Sequence, residues 1–207
     1  MKTKEYLKNG GLSDVVKFVS GNSIEVGREL SVLDKFAVDF TAILKKYTEY
    51  VIVSGYVSIV LGRSRASEDI DVIIPRIDFE TFLKLYEELK KAHFYCINAL
   101  LPEDIFEYLS EKTSVRFAKE STVIPNMEVK FAKNRIDELT LNNTLRVKLG
   151  KNELIVSHLE MQIAFKESVL KSPKDLEDAR HIRNIAEGYF DEELIEKYKC
   201  ELNEIYS

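Results

Sequence analysis

The chain has 207 residues, of which 45% are hydrophobic and 31% charged, so it can bury a substantial core in one domain or in a core with a small appendage. Its 35 acidic residues outnumber its 30 basic ones, and the net charge of -5 argues against a surface coated in positive charge for sequence-independent nucleic-acid binding. No apolar run reaches the roughly 18 residues of a membrane span, and Cys96 and Cys200 lack the spacing of a zinc site or disulfide framework. We therefore expect a soluble, cytoplasmic protein with reduced cysteines and no membrane contact.

The first three quarters of the chain alternate between helix and strand patterns. Apolar stripes at helical spacing predict helices, and short runs of β-branched or aromatic residues bounded by turn residues predict strands. The predicted helices span 28–47, 56–61 and 79–91. The predicted strands span 50–53, 69–74, 94–97, 114–118, 127–131 and 145–149, with 154–156 as a further candidate. This order predicts an α/β (α+β) fold.

The last fifty residues are almost entirely helical in pattern. Ser157, with Glu160 three residues later, is typical of a capping box. Ser172 is a candidate cap for the following helix, which Gly188 closes. The three predicted helices span 158–171, 173–187 and 192–206.

No internal repeat and no low-complexity linker divides the chain. We interpret residues 1–156 as an α/β core with N-terminal helices, and residues 157–207 as a C-terminal helical segment that packs on the core. Gly10 and Gly11, close to the start, are most simply a flexible turn.

Asp69 and Asp71 alternate with Ile70 and Val72, so both carboxylates face one side of the predicted strand, with α-carbons roughly 6 to 7 Å apart. Two acids at the end of a Val/Ile-rich strand are unfavourable unless a cation or several donors neutralise them. Carboxylate oxygens are the ligands that Mg²⁺ prefers. The alternative is a solvated strand end, because a bare Asp-x-Asp motif is common.

Ser54 and Gly55 end the strand that precedes these acids. Their small side chains allow the backbone to approach a phosphate closely, and a helix starting just beyond would direct free amide groups towards it. Small residues also form ordinary turns. The sequence contains neither a GxxxxGK[ST] phosphate loop nor a GxGxxG dinucleotide fingerprint.

Lys166 occupies an apolar helical stripe with Leu159, Ile163 and Leu170. A buried, unpaired ammonium group is unfavourable. Either the lysine stem extends to solvent, or the amine points into a cleft that contains carboxylates or phosphates.

The segment 54–74, SGYVSIVLGRSRASEDIDVII, resembles the nucleotidyltransferase superfamily typified by DNA polymerase beta. The signature of that superfamily is a small-residue turn followed by Asp-x-Asp on the next strand. The segment is most similar to small prokaryotic proteins related to the AbiEii abortive-infection toxins. In that comparison Arg65 and Ser67 lie at the Arg and Thr positions of the motif, and Ser54 replaces the first glycine of the turn.

A second segment, 159–182, LEMQIAFKESVLKSPKDLEDARHI, resembles a C-terminal stretch of the same proteins. Lys166, Lys174, Asp175 and Asp178 lie at its polar positions. Ser172 stands where those proteins commonly have arginine.

The superfamily has a third carboxylate on a later strand, and Glu128 is our choice for it. Glu128 faces opposite Met127, Val129 and Phe131, as a ligand emerging from a buried strand would. A half-exposed strand without any ligand would show the same alternation.

The resemblance implies a mixed-sheet nucleotidyltransferase core that uses Mg²⁺ or Mn²⁺ and a nucleoside triphosphate. The implied metal ligands are Asp69, Asp71 and Glu128, with Lys166 as a further catalytic residue. The implied nucleotide-binding residues are Ser54, Gly55, Arg65, Ser67, Lys174, Asp175 and Asp178.

The implied reaction transfers a nucleoside monophosphate to a hydroxyl group of RNA or protein, as the toxin of a toxin–antitoxin pair with an antitoxin partner. Two alternatives stay open: a catalytically inactive binding or antitoxin-like module with this fold, and an α/β protein with an unrelated role.

Overall fold

The computed structural model describes residues 16–19 and 22–206. The predicted turn at Gly10 and Gly11 lies outside these residues. The strands are β1 (Val16–Val19), β2 (Ser23–Val26), β3 (Val51–Val53), β4 (Asp69–Ile74), β5 (Phe94–Cys96), β6 (Val115–Lys119), β7 (Asn126–Phe131), β8 (Thr144–Leu149) and β9 (Asn152–Ser157). The α-helices are α1 (Val32–Leu44), α2 (Gly55–Val60), α3 (Phe79–Lys91), α4 (Pro102–Ser110), α5 (Arg135–Asn142), α6 (Leu159–Phe165), α7 (Pro173–Ile185) and α8 (Glu192–Tyr206), and a π-helix spans Lys166–Leu170.

The strands form one mixed sheet of nine strands in the order β1-β2-β8-β9-β3-β4-β7-β6-β5. At its centre β4 pairs antiparallel with β3 and parallel with β7. Helices lie against both faces of this sheet, so the predicted mixed α/β fold is confirmed.

The two faces of β4 differ in character because side chains alternate along a strand. Ile70 and Val72 are fully buried on one face. That face contacts α1, α3 and α4 through a chain of aromatic pairs, in which Phe40 contacts Phe117 of β6 and Phe106 contacts Phe131 of β7. The opposite face carries the aspartates.

Four elements are not apparent from the sequence pattern. β1 and β2 form an antiparallel hairpin before α1, where helices are expected. α4 and α5 are short helices of nine and eight residues. α5 begins at a local cap, because the Asn134 side chain accepts the N–H groups of Ile136 and Asp137. Such short helices bury little of their surface and leave only a weak periodic signal.

The predicted capping box at Ser157 and Glu160 is wrong. Ser157 pairs with Thr144 as the last residue of β9, and α6 starts at Leu159. The Glu160 carboxylate instead lies 2.5 Å from the His158 ring and accepts the N–H of Asp191. The local sequence around Ser157 is compatible with both a strand end and a helix cap, and only the pairing of β9 with β8 distinguishes the two.

The helix expected over 158–171 also changes form, because α6 ends at Phe165 and the π-helix continues to Leu170. The wider turn shifts Leu170 off the buried stripe, and its side chain is 41% exposed.

The cap of α7 is as predicted, because Ser172 accepts the N–H of Asp175. Gly188 adopts a positive φ of 80° three residues beyond the end of α7. The division of the chain at 156/157 stays a prediction. In the part of the chain that the structure describes, no helix is long and apolar enough to cross a membrane.

Candidate functional site

Three carboxylates lie on one face of the sheet. Asp71 is directly opposite Val53 of β3 and Glu128 of β7, and Asp69 is opposite Asn126. Because register-paired residues on neighbouring strands point to the same side, the side chains of Asp69, Asp71 and Glu128 share this face. The predicted alternation around Glu128 is confirmed, with Met127, Val129 and Phe131 buried on the other face.

The environment of Asp71 disfavours its negative charge. Burial raises its pKa to about 6, and the neighbouring charges of Asp69 and Glu128 add to the rise. The Ser54 hydroxyl and the Lys130 ammonium lower the pKa, but they do not offset burial. This carboxylate therefore gains from a further positive charge beside it.

Hydrogen bonds orient the other two carboxylates. The Ser67 hydroxyl donates to the backbone carbonyl of Asp69 at 3.1 Å and to its carboxylate at 3.3 Å. Glu128 accepts from Ser114 at 2.7 Å and from the Arg116 guanidinium at 2.8 Å. Burial alone raises the pKa of Glu128, but these hydrogen bonds outweigh it, and the pKa is below its usual range.

The oxygen donors of Asp69 and Asp71 suit a hard divalent cation. The raised pKa of Asp71 comes first from burial and then from the charges of Asp69 and Glu128, and a bound cation would oppose both effects. Glu128 has the right register but is engaged by Arg116. Consistent with that, residues 16–19 and 22–206 contain no group of three or more His, Cys, Asp or Glu side chains arranged to hold a metal ion.

The turn before α2 has an unusual backbone. Ser54 has φ 63° and ψ -136°, a region that glycine enters freely and other residues enter at a cost of about 1–3 kcal/mol. Gly55 follows, with the Arg65 guanidinium against it. A Cβ atom on Gly55 would lie 2.6 Å from Nη2 of Arg65, so only glycine leaves room for this approach.

A cluster of cations surrounds one buried carboxylate on α7. Asp178 is fully buried and forms ion pairs with Arg63, Arg65 and Lys166, the last at 2.9 Å. A buried carboxylate requires such partners, because an unpaired buried charge is strongly destabilising.

Lys166 points into this cluster and does not extend to solvent. Its side chain is 1% exposed, and burial lowers its pKa to about 8, although the charge of Asp175 opposes the shift. Arg65 and Arg63 lower the pKa further by repulsion. Lys166 is also the first residue of the π-helix, an irregularity that is frequent at functional sites.

The other residues of the C-terminal motif have distinct surroundings. Asp175 lies 3.5 Å from the Lys166 amine and accepts a hydrogen bond from Ser172. Ser172, which replaces the arginine common in the proteins that this segment resembles, therefore serves as the cap of α7. The Lys174 side chain is exposed, and only its carbonyl takes part, accepting from Arg63 at 3.0 Å.

Arg65 connects the two halves of the site. Burial and the nearby Arg63 lower the pKa of Arg65, while the charges of Asp175, Asp69 and Asp71 raise it. The guanidinium therefore interacts electrostatically with carboxylates of both α7 and β4. Arg63 was not predicted. The sequence indicates a role for Arg63 only through its position in a polar loop, two residues before Arg65.

Comparison with solved structures shows that the chain shares its α/β fold with known proteins. The chain is similar to the crystal structure of ANT(2")-Ia in complex with adenylyl-2"-tobramycin, with a TM-score of 0.53 and 13% identity over 84% of this chain and 97% of that one. The solution structure of the antibiotic-resistance factor ANT(2'')-Ia gives a TM-score of 0.50 and 12% identity over 81% and 89% of the two chains.

An antigenic nucleotidyltransferase-like protein from Paracoccidioides brasiliensis is also similar, with a TM-score of 0.48 and 11% identity over 83% of this chain and 87% of that one. Comparison of the sequence with protein-family models and with the curated proteins gives no match.

Proposed function

We propose that this protein is a metal-dependent nucleotidyltransferase, in which an acceptor hydroxyl attacks the α-phosphorus of a nucleoside triphosphate. The new O–P bond joins the nucleoside monophosphate to the acceptor, the α–β phosphoanhydride bond breaks, and pyrophosphate leaves. The observation that carries the proposal is the meeting of two charged groups across Arg65. The carboxylates of β4 and β7 lie on one side, and the Asp178 cluster of buried cations lies on the other. One group suits a divalent cation, and the other suits phosphate oxygens.

Asp69 and Asp71 would hold the Mg²⁺ or Mn²⁺, and Glu128 would become the third ligand on release from Arg116. When bound, the cation neutralises the triphosphate and lowers the pKa of the acceptor hydroxyl. Ser67 holds Asp69 in place through its hydroxyl. Ser114 and Arg116 compete with the cation for Glu128.

The cationic residues would stabilise the charge that develops on the transferred phosphoryl group. Arg65 lies over Gly55, where the backbone of Ser54 and Gly55 would contact phosphate. Lys166 is paired with Asp175 and Asp178 and shares Asp178 with Arg65, so it would add a further positive charge beside Arg65. Lys174, exposed beside Asp175, would contribute charge at the rim of the site.

We further propose that the protein belongs to the AbiEii-related branch and acts in the cytoplasm as the toxin of a toxin–antitoxin pair, with RNA or protein as its acceptor. Both matching sequence segments supply residues to the one site, which supports this branch. The identity of the neighbouring gene product tests the antitoxin part of the proposal.

A catalytically inactive binding module is the second candidate. Two observations favour it: Ser54 takes a backbone conformation suited to glycine, and Glu128 is already paired with Arg116.

The deciding experiment incubates the protein with each α-labelled nucleoside triphosphate, Mg²⁺ or Mn²⁺, and total cell RNA or cell lysate. Labelled RNA or protein that disappears in Asp69→Asn and Asp71→Asn, and persists in the control Asp39→Asn, supports the transferase. Asp39 is exposed on α1, across the sheet. Nucleotide-dependent thermal stabilisation without labelled product supports the binding module, and the absence of both contradicts both proposals.

A further inference from the structure

A buried hydrogen bond joins the turn at Ser54 to helix α1. Tyr56, the second residue of α2, donates from its phenol hydroxyl to Oδ1 of Asp34 at 2.7 Å. Tyr56 is 1% exposed and Asp34 is fully buried, so bulk water does not compete for this contact. The bond therefore ties the first turn of α2 to a helix that lies on the sheet face opposite the paired aspartates.

Asp34 is an acceptor that its own surroundings hold in place. Its carboxylate accepts from the N–H and the hydroxyl of Ser31, both at 2.7 Å, and forms an ion pair with Arg28. Burial alone raises the pKa of Asp34, but hydrogen bonds from Arg28, Tyr56 and Ser31 outweigh it, and the pKa is below its usual range. Burial raises the pKa of Tyr56, and the charge of Asp34 adds to the rise, so the phenol keeps its proton and stays a donor.

Helix α2 is held at its two ends by different helices. At its C-terminal end, the carbonyl of Leu61 lies 3.2 Å from Nε2 of His181 on α7. At its N-terminal end, Tyr56 is bound to α1. A helix of six residues has little stability of its own, so these contacts fix where α2 begins.

The turn beside this contact is strained. Ser54 has a positive φ of 63°, and such a residue persists only where the surrounding structure leaves it no alternative. The sheet fixes the chain before Ser54, because Val53 is opposite Asp71. Tyr56 fixes the chain two residues after Ser54. The strained residue therefore lies between two fixed points, and the loss of either one would let the turn relax.

We propose that Asp34 and Tyr56 are positioning residues, which hold the backbone of Ser54 and Gly55 in the conformation that receives the triphosphate. The inference rests on the proposed function, because it takes this turn as the phosphate-binding one. Both residues act through the turn and not on the substrate. The alternative is that the bond only satisfies a buried hydroxyl, as buried tyrosines generally require.

Tyr56→Phe tests the proposal, because it removes the hydroxyl and keeps the ring in the core. Tyr50→Phe is the matched control. It removes another buried phenol hydroxyl, at the opposite end of β3, whose oxygen accepts the N–H of Ile155 at 3.3 Å. Each variant loses one buried hydrogen bond, but only Tyr56 is tied to the turn. Calorimetry then gives the dissociation constants of the full chain and of both variants for inorganic tripolyphosphate with Mg²⁺.

We expect Tyr56→Phe to weaken tripolyphosphate by about tenfold and to raise KM for the nucleoside triphosphate equally, with kcat within about twofold. The loss falls on phosphate binding because the carboxylates stay in place on β4. Tyr50→Phe should leave both constants within about twofold. Unchanged affinity in Tyr56→Phe, or equal weakening in the two variants, overturns the inference.

Ser54→Gly supplies an independent measurement, because glycine adopts this backbone conformation without strain. In that background Tyr56→Phe should weaken tripolyphosphate by no more than about twofold. Urea denaturation tests the same coupling without a ligand. The stability gained from Ser54→Gly should fall by about half or more in Tyr56→Phe and stay the same in Tyr50→Phe. Additive effects of Ser54→Gly and Tyr56→Phe on both quantities contradict the proposed link.

These measurements separate the inference from the proposed function. Normal transfer and normal tripolyphosphate affinity in Tyr56→Phe overturn the positioning role alone. If the wild type neither binds tripolyphosphate nor transfers label, the proposed function is overturned, while the stability coupling still decides whether Tyr56 holds the turn.

Discussion

The Arg65 guanidinium lies against Gly55, so closely that a Cβ atom at position 55 would stand 2.6 Å from Nη2. Asp178 holds this guanidinium from the other side. The observed position of the Arg65 guanidinium therefore depends on a glycine ten positions earlier in the chain and on a carboxylate 113 positions later.

Gly55→Ala should raise KM for the nucleoside triphosphate by about tenfold, because the added methyl group displaces a cation from the phosphate region. Stability should fall by only ~1 kcal/mol, because the far end of Arg65 can move. In an Arg65→Ala background the alanine should have no further effect on KM, as a double-mutant cycle would measure. An effect of unchanged size there would contradict the contact as its cause.

Ser54→Gly should raise the free energy of unfolding by about 1 kcal/mol, because it removes backbone strain that exceeds the entropic cost of glycine. Ser54→Ala is the matched control, since it keeps the strain and loses only the hydroxyl. Urea denaturation of both variants measures the difference. A glycine variant no more stable than the alanine variant would show that the backbone at Ser54 is unstrained.

Asp178→Asn should destabilise the fold by about 3 kcal/mol, because Arg63, Arg65 and Lys166 lose their shared buried partner. The neighbouring Glu177→Gln should cost less than about 0.5 kcal/mol, because Glu177 is 60% exposed and its pair with Arg63 is solvent-screened. Chemical denaturation of both variants tests this, and similar losses in the two would rule out the buried cluster as the source of stability.

Asp71→Asn should abolish nucleotide transfer and increase stability in a chelator at pH 7. The pKa of Asp71 is raised to about 6 in the folded state, so the wild type loses stability as pH rises from about 4 to about 6, and the amide removes that loss. The gain of about 3 kcal/mol should vanish below pH 4. A gain that does not depend on pH would point to packing instead of charge.

Lys166 provides a second pH signature. Burial lowers its folded-state pKa to about 8, so the unfolded chain binds more protons between about pH 8 and pH 10.5, and the contribution of this group to stability rises across that window. Lys166→Met should remove this rise, as thermal melts across the window would show. If the ammonium form is needed for transfer, kcat/KM should fall above about pH 8 in the wild type, and a flat profile would exclude that requirement.

Local pattern was sufficient for much of the fold. β4 and α3 have the predicted bounds, because the β-branched run that ends at Pro75 and the capped, amphipathic helix after Asp78 are strong local signals. The alternation along β4 placed Asp69 and Asp71 on one face. The apolar stripe singled out Lys166 but left open whether its amine reaches solvent or a charged cleft, and the structure shows the cleft.

Tertiary structure alone decided which charges meet. Two of these contacts join residues from separate elements: the pairing of Arg63 with Asp178 and that of Arg116 with Glu128. Ion pairs leave no periodic trace in the sequence, because they depend on which strands become neighbours and which helices cover them. Hydrophobic period determined most of the elements and their buried sides, whereas strand order and register determined that the carboxylates and the cation cluster lie together.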